Sequence, residues 1–221
     1  MCHPANFALL DQTRDLLQTV RSTPAGDKAV GDLLAKICEA EPNPNRPKVQ
    51  IARHQHILDS AISEISNVQL LGVKAALGQA VDHLSWRVDN AEYYASSADV
   101  GQGYRDGNLH ALLIGPDNAP FVADDFLLGF FLLAPRRLYR DHKHLAPELY
   151  LPLTGPAGWR FDLGEWQDHE AGCVIHNQPN VAHATRVYDT PFLALFAWTQ
   201  DTHCPCEVVH ADDWAEVESM L

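Results

Sequence analysis

The stretch Tyr139-Arg-Asp-His142-Lys-His144-Leu-Ala-Pro-Glu148-Leu-Tyr150-Leu-Pro-Leu-Thr-Gly155 carries the most chemistry in the chain. His142 and His144 are two residues apart, so on a strand both imidazoles point to one face. Glu148 follows four after His144, and Tyr150 stands two beyond it, on the same side of the next strand and opposite to Leu149 and Leu151. Neutral imidazoles and one carboxylate on a shared face suit a divalent transition metal with open coordination positions. Two strands cannot close such a site alone. His183, in Pro179-Asn-Val-Ala-His183, is the candidate for the further ligand.

Working outward, the chain after Gly101-Gln102-Gly103 reads as short strands: Leu109–Ile114, Phe126–Leu133, Glu148–Leu153, Trp159–Phe161, Gly172–Ile175, Ala182–Val187 and Phe192–Thr199. Turn signals such as Thr154-Gly155-Pro156 and Asp189-Thr190-Pro191 separate them, a spacing that predicts an antiparallel sandwich or barrel. Before residue 105 the apolar period is helical. It runs through Phe7, Leu10, Leu17 and Val20, then Ala29 to Ile37, then Ile57 to Ile65, and again from Val68 to Trp86. Glu41-Pro-Asn-Pro-Asn-Arg-Pro47 cannot continue a helix and reads as a linker. A terminal helix is expected over 212–221. The expected organisation is a helical region over 1–105 followed by a β domain over 106–221.

Composition narrows the partners. The 221 residues carry 16 Lys and Arg against 29 Asp and Glu, a formal charge of −13 that disfavours nucleic acid and anionic membranes. The longest apolar run, near Phe126–Pro135, falls far short of the ~20 residues of a membrane span. The first residues show no basic segment leading into an apolar run, and five cysteines do not form an even disulfide framework. A reduced, cytoplasmic setting is therefore expected. Cys204-Pro-Cys206 lacks both the zinc-knot spacing and a second pair, so it reads as a loop with incidental thiols. Arg136, Arg137, Arg140 and Lys143 cluster within eight residues, which predicts a basic entrance to the metal site.

The H-x-H-x3-E-x6-G pattern from His142 to Gly155, followed by Gly172, Pro179 and His183, is similar to the two motifs of the cupin superfamily. That resemblance implies an α+β chain: a small antiparallel β-barrel (a double-stranded β-helix) preceded by helices. Two positions depart from the pattern. Arg136 stands where a glycine is expected, and Asn180 replaces the turn glycine before His183; asparagine also tolerates positive φ. Tyr139, the Pro147-to-Leu153 run, Trp159, His183-Ala-Thr-Arg186 and Pro191-to-Trp198 further resemble the cupin-type dimethylsulfoniopropionate (DMSP) lyases.

The resemblance implies cleavage of DMSP to dimethyl sulfide and acrylate. It implies one divalent transition metal (Fe, Zn, Mn, Co or Ni) held by His144, Glu148, Tyr150 and His183, with His142 a ligand or a neighbour of the ligands. Tyr139 and Tyr150 match the proposed catalytic bases. The chemistry is consistent with these types. Elimination removes an α-proton while the carbon–sulfur bond breaks, and a metal that takes the carboxylate stabilises the developing anion. A tyrosine starts near pKa ~10, and an adjacent cation favours its phenolate. A sulfonium has a positive charge but no donor, so aromatic faces bind it. Trp198 is the main candidate for that wall, with Trp159, Trp166 and Tyr188 as helpers. Arg186 pairs either with the substrate carboxylate or with a strand-edge acid.

Two other functions share this ligand set: a cupin oxygenase or isomerase acting on another small carboxylic acid, and a metal- or ligand-sensing cupin regulator that docks a partner through its helices. The helices could equally cover the barrel mouth or form a homodimer contact. For the lyase, the expected partner is a small zwitterionic molecule.

Overall fold

The computed structural model describes residues 2–45, 53–116 and 118–221. Helix α1 (Pro4–Thr19) and helix α2 (Pro24–Glu39) each begin at a proline, whose fixed φ suits the first helical turn. The His3 and Thr23 side chains cap them by accepting from the Ala5 and Gly26 amides. The predicted linker opens with a two-residue strand, β1 (Glu41–Pro42), and Asn43 is buried behind it; Arg46 and Pro47 lie outside the described residues. Helices α3 (Gln55–Glu64) and α4 (Leu71–Ala80) follow, the latter flanked by 3-10 turns. Helical structure there ends at His83, short of Trp86, and residues 84–101 run irregularly to the short α5 (Gln102–Gly107).

Eleven further strands complete the chain before a terminal helix: β2 (Asn108–Gly115), β3 (Phe121–Val122), β4 (Leu127–Leu133), β5 (Arg137–Lys143), β6 (Glu148–Pro152), β7 (Ala157–Phe161), β8 (Gln167–His169), β9 (Ile175–Asn177), β10 (His183–Val187), β11 (Phe192–Trp198), β12 (Glu207–Val208) and α6 (Trp214–Met220). They form a seven-stranded sheet, β1-β3-β2-β4-β11-β6-β9, and a five-stranded sheet, β12-β5-β10-β7-β8. The pairings are antiparallel apart from β2 with β3. This is the predicted α+β, cupin-type architecture, with one correction. Among the described residues no strand pairing joins the two sheets, so they face one another instead of closing into a barrel.

Alternation divides the larger sheet into two faces. Leu128, Phe130 and Leu132 of β4, Leu149 and Leu151 of β6, and Leu193, Leu195 and Ala197 of β11 meet α1–α4 in one hydrophobic core. Leu127, Phe131 and Leu133, Tyr150, and Phe192, Ala194 and Trp198 turn inward, against Tyr139 and Trp159 of the smaller sheet. Both faces of β4 are thus covered, and its seven residues are all buried. The N-terminal helices pack on the back of the sheet, where their leucines find apolar partners.

The strand carrying Tyr139 and His142 is irregular. His183 pairs with His142 and Thr185 with Tyr139, so between them one residue of β10, Ala184, opposes two of β5, Arg140 and Asp141. This bulge shifts the side-chain alternation by one residue and turns Tyr139 and His142 inward together. Asp141 consequently points out of the sheet. There it accepts from Arg160 Nε at 2.9 Å and from Trp214 Nε1 at 2.8 Å, under helix α6.

Candidate active site

Three histidines converge between the sheets. His142 comes from β5, His144 from the turn after it, and His183 from the start of β10. Each is at most 4% exposed, and their ligand-capable nitrogens lie within 4.8 Å of one another. Each Nδ1 sits beside a backbone carbonyl: Arg140 O at 2.8 Å for His142, Ala146 O at 2.9 Å for His144, and Val181 O at 3.0 Å for His183. A carbonyl can only accept, so each Nδ1 carries the proton and each Nε2 presents a lone pair.

Those lone pairs face an anion. Glu148 Oε2 lies 3.4 Å from Nε2 of both His144 and His183, and these two buried nitrogens have no hydrogen-bond partner. Acceptors gathered in a dry pocket repel unless a cation sits among them. Donors adjacent on one first-row metal stand about 3–3.5 Å apart, given bonds of ~2.1 Å. The set therefore fits a divalent metal. Burial alone would raise the Glu148 carboxyl, but the facing imidazoles outweigh it and hold it well below the usual carboxylate range. Burial, followed by the charges of His183 and His144, lowers His142. An ionised Glu148 and a neutral His142 are the forms that bind a cation; at His144 burial is outweighed by Glu148, which raises the imidazole, so that there a cation competes with a proton.

Outer contacts hold Glu148 in place. Trp198 Nε1 donates to its Oε1 at 2.8 Å and Asn177 Nδ2 to its Oε2 at 2.7 Å, while Trp159 Nε1 donates to Asn177 Oδ1 at 3.2 Å. The two motif positions that depart from glycine are both left-handed, with φ of 58° at Arg136 and 60° at Asn180. Asparagine accepts that conformation at low cost, and the Asn180 amide donates to the His144 carbonyl at 2.8 Å, tying the two ligand segments together.

Beside the cluster opens a cavity with ≈ 610 Å³ of empty space, counting its mouth. Glu148, Tyr150, Trp198 and Tyr139 line it. Tyr139 stacks on His142 with ring centroids 4.0 Å apart, and its hydroxyl lies 2.6 Å from that of Tyr94. Burial pushes both Tyr139 and Tyr150 well above the usual tyrosine range, with Glu148 adding to the effect at Tyr150 and the Tyr94 hydrogen bond opposing it at Tyr139.

Several expected residues stand elsewhere. Trp159 is buried beneath Tyr150, ring centroids 5.1 Å apart, and does not line the cavity. Arg186 and Tyr188 lie on the outer side of the smaller sheet, where Arg186 Nε donates to the Tyr188 hydroxyl at 2.9 Å and Tyr188 to Asp168 at 2.6 Å. Trp166 stacks there with Arg160 and Arg186. Of the two roles open to Arg186, the strand-edge ion pair with Asp168 is the one present. The expected basic entrance is also absent from this cavity. Arg136 pairs with Asp189, Arg140 with Asp99 and Glu218, and Lys143 with Glu207, all away from the lining.

Sequence reasoning missed Arg87, Asp89, Tyr93, Tyr94, Tyr104 and His110, which form the other wall. Tyr104 stacks on Tyr139 at 4.0 Å and donates to Asp89 at 2.6 Å. Most of these residues lie in the irregular 84–101 segment. The nearest available signals were the Tyr93-Tyr94 pair and the glycines at 101 and 103.

The family model described as dimethylsulfoniopropionate lyase matches residues 27–194. A putative dimethylsulfoniopropionate lyase, DddL, of Cereibacter sphaeroides is 28% identical over 174 residues, covering 78% of this chain and 70% of that protein. The dimethylsulfoniopropionate lyase DddQ of Ruegeria pomeroyi is 33% identical over 103 residues, covering 46% of this chain and 50% of DddQ. The crystal structure of DddQ from that organism superimposes with a TM-score of 0.72 at 21% identity, over 95% of this chain and 98% of that one, a likeness of fold. With the family model covering most of its length, the chain belongs to the dimethylsulfoniopropionate lyase family and is a lyase of the cupin fold.

Proposed function

We propose that the protein is a metal-dependent carbon–sulfur lyase that cleaves DMSP to dimethyl sulfide and acrylate, with a tyrosine as the base. The observation that carries this reading is that Glu148, the carboxylate facing the three-histidine cluster, lines one cavity together with Tyr139 and Tyr150. His142, His144, His183 and Glu148 would hold the metal, with Tyr150 beside them. When bound, a divalent cation supplies positive charge that favours a neighbouring phenolate and offsets the negative charge developing on the substrate.

The chain's own groups supply the rest. In the metal-free chain, burial keeps both tyrosines protonated at neutral pH. Tyr139 is the better-placed base, because the Tyr94 hydroxyl can donate to its oxygen whereas Tyr150 faces anionic Glu148. The base oxygen takes the proton from the α-carbon, and the α-carbon's electron pair forms the new carbon–carbon double bond. The carbon–sulfur bond breaks, and its electrons leave with sulfur as neutral dimethyl sulfide. Aromatic faces at Trp198, Tyr93 and Phe196 suit the sulfonium, which offers charge without donors. Five free thiols accompany this reading with a reduced, cytoplasmic setting.

The purified protein with added metal should release dimethyl sulfide into the headspace and acrylate into solution from DMSP, and chelation should abolish both. At equal metal content, Tyr139→Phe should lower turnover by about 10²–10⁴-fold, the span of general-base contributions. No product across several metals would sink the lyase reading. Near-normal turnover in both Tyr139→Phe and Tyr150→Phe would overturn the tyrosine base.

A further inference from the structure

The wall of the cavity that sequence reasoning missed contains a built cation. Arg87 supplies the sole lysine or arginine side chain among the described lining residues. It is held twice to His110. Their backbones form an antiparallel bridge, with Arg87 N to His110 O at 3.0 Å and His110 N to Arg87 O at 2.9 Å. The side chains then pair, Arg87 Nε donating to His110 Nε2 at 3.1 Å. A nitrogen that accepts from arginine carries no proton of its own. Burial, then the Arg87 charge, depresses His110 to about 4, so the ring stays neutral at working pH and the pair does not become two facing cations. Arg87 forms no ion pair among the described residues. Asp89, the nearest acid on its segment, spends its oxygens on the Tyr104 hydroxyl and the Glu92 amide.

A half-buried guanidinium with its Nε tied back and its terminal nitrogens left for a ligand is suited to a carboxylate, which it meets with parallel donors. We propose that Arg87 is a substrate-recognition residue that engages the carboxylate of the zwitterion, and that His110 is the positioning residue that aligns it. This gives the cavity a polarity. The carboxylate would lie between the Glu148 side, where the metal takes one oxygen, and Arg87, which meets the other, and the sulfonium, repelled by both cations, is left to the aromatic faces of the lining. The inference rests on the lyase reading for its substrate, but it concerns a group remote in sequence from the metal motif.

The test separates the two. Propionate, a carboxylate without a sulfonium, and trimethylsulfonium, a sulfonium without a carboxylate, are titrated calorimetrically into the purified, metal-loaded chain, and DMSP kinetics are measured in parallel. Arg87→Met should weaken propionate about 10- to 100-fold, the worth of a charge-assisted hydrogen bond, and raise KM for DMSP by a similar factor with kcat changed far less. Trimethylsulfonium should bind the variant no more weakly than the native chain. His110→Gln, which keeps an acceptor, should restore most of the propionate affinity that His110→Leu loses. Unchanged propionate binding in Arg87→Met, or equal losses for propionate and trimethylsulfonium, overturns the proposal. Should Arg87→Met fail to fold, Arg87→Lys answers the same question, because it keeps charge but loses the planar fork and should give an intermediate propionate loss. Absence of dimethyl sulfide from the native chain would refute the lyase reading, while propionate titration would still decide the role of Arg87.

Discussion

Trp198 shows how one residue serves the site through both of its ends. Its ring lines the cavity and lies 4.5 Å, centroid to centroid, from His144, while its Nε1 holds Glu148 Oε1. The sequence reading assigned it a sulfonium-facing wall, and the structure adds a hydrogen bond to a metal-ligand candidate. Trp198→Phe keeps the aromatic face and removes the donor. It should weaken metal binding about 10- to 100-fold, as loss of a ligand-orienting partner does elsewhere. Competition with a chromophoric chelator measures this, and an unchanged affinity would count against Glu148 as a ligand. At this scale legibility followed the side-chain period. Alternation sets His142 and His144 on one side and Glu148 and Tyr150 on one side, and the facing of the two sheets brings the pairs together. Tyr94 and Arg87 belong to no repeat or motif, so nothing local marked them.

Strand β5 is the element on which the site depends, and it was the hardest to foresee. Arg137-Leu-Tyr-Arg-Asp-His-Lys143 has no apolar alternation, since both of its faces carry polar work. Simple alternation would put Tyr139 on the side of Asp141, away from His142; the bulge opposite β10 reverses this. What fixes the bulge on its outer side is Asp141, buried and held by Arg160 and Trp214. Arg160→Met would leave the Asp141 charge buried without its cation. Breaking a buried pair in this way costs about 3–5 kcal/mol. Urea denaturation should show that loss, and Asp213→Asn, which touches only the half-exposed partner of Arg160, should cost clearly less. Equal effects from the two would mean that Asp141 is not the group Arg160 serves. By contrast, β4 and β11 were legible to within a residue, because buried strands are runs of apolar residues bounded by turns.

For the whole molecule, the helices and the larger sheet bury their apolar faces against each other in one continuous core. We therefore expect the region before residue 105 and the β region to unfold together. Leu58→Ala in α3 and Leu132→Ala in β4, each fully buried, should each lower the stability of the same calorimetric transition by about 2–5 kcal/mol. Two separable transitions, each sensitive to one of the variants, would show that the helices fold apart from the sheets. Among the described residues no helix is long and apolar enough to cross a membrane.

By itself, the amino-acid sequence determined the order of helices before strands, the spacing that pairs His142 with His144 and Glu148 with Tyr150, and the family resemblance that the comparisons bear out. These are properties of residues within a few positions of each other, where backbone geometry alone relates side chains. Only the tertiary structure decided that the two sheets face without closing and that Arg186 and Tyr188 sit outside while Arg87 and Tyr94 sit within. It also decided that a bulge brings Tyr139 onto His142. Each of these depends on register or on an irregular segment folding back over a sheet, and neither leaves a period in the chain for a reader to follow.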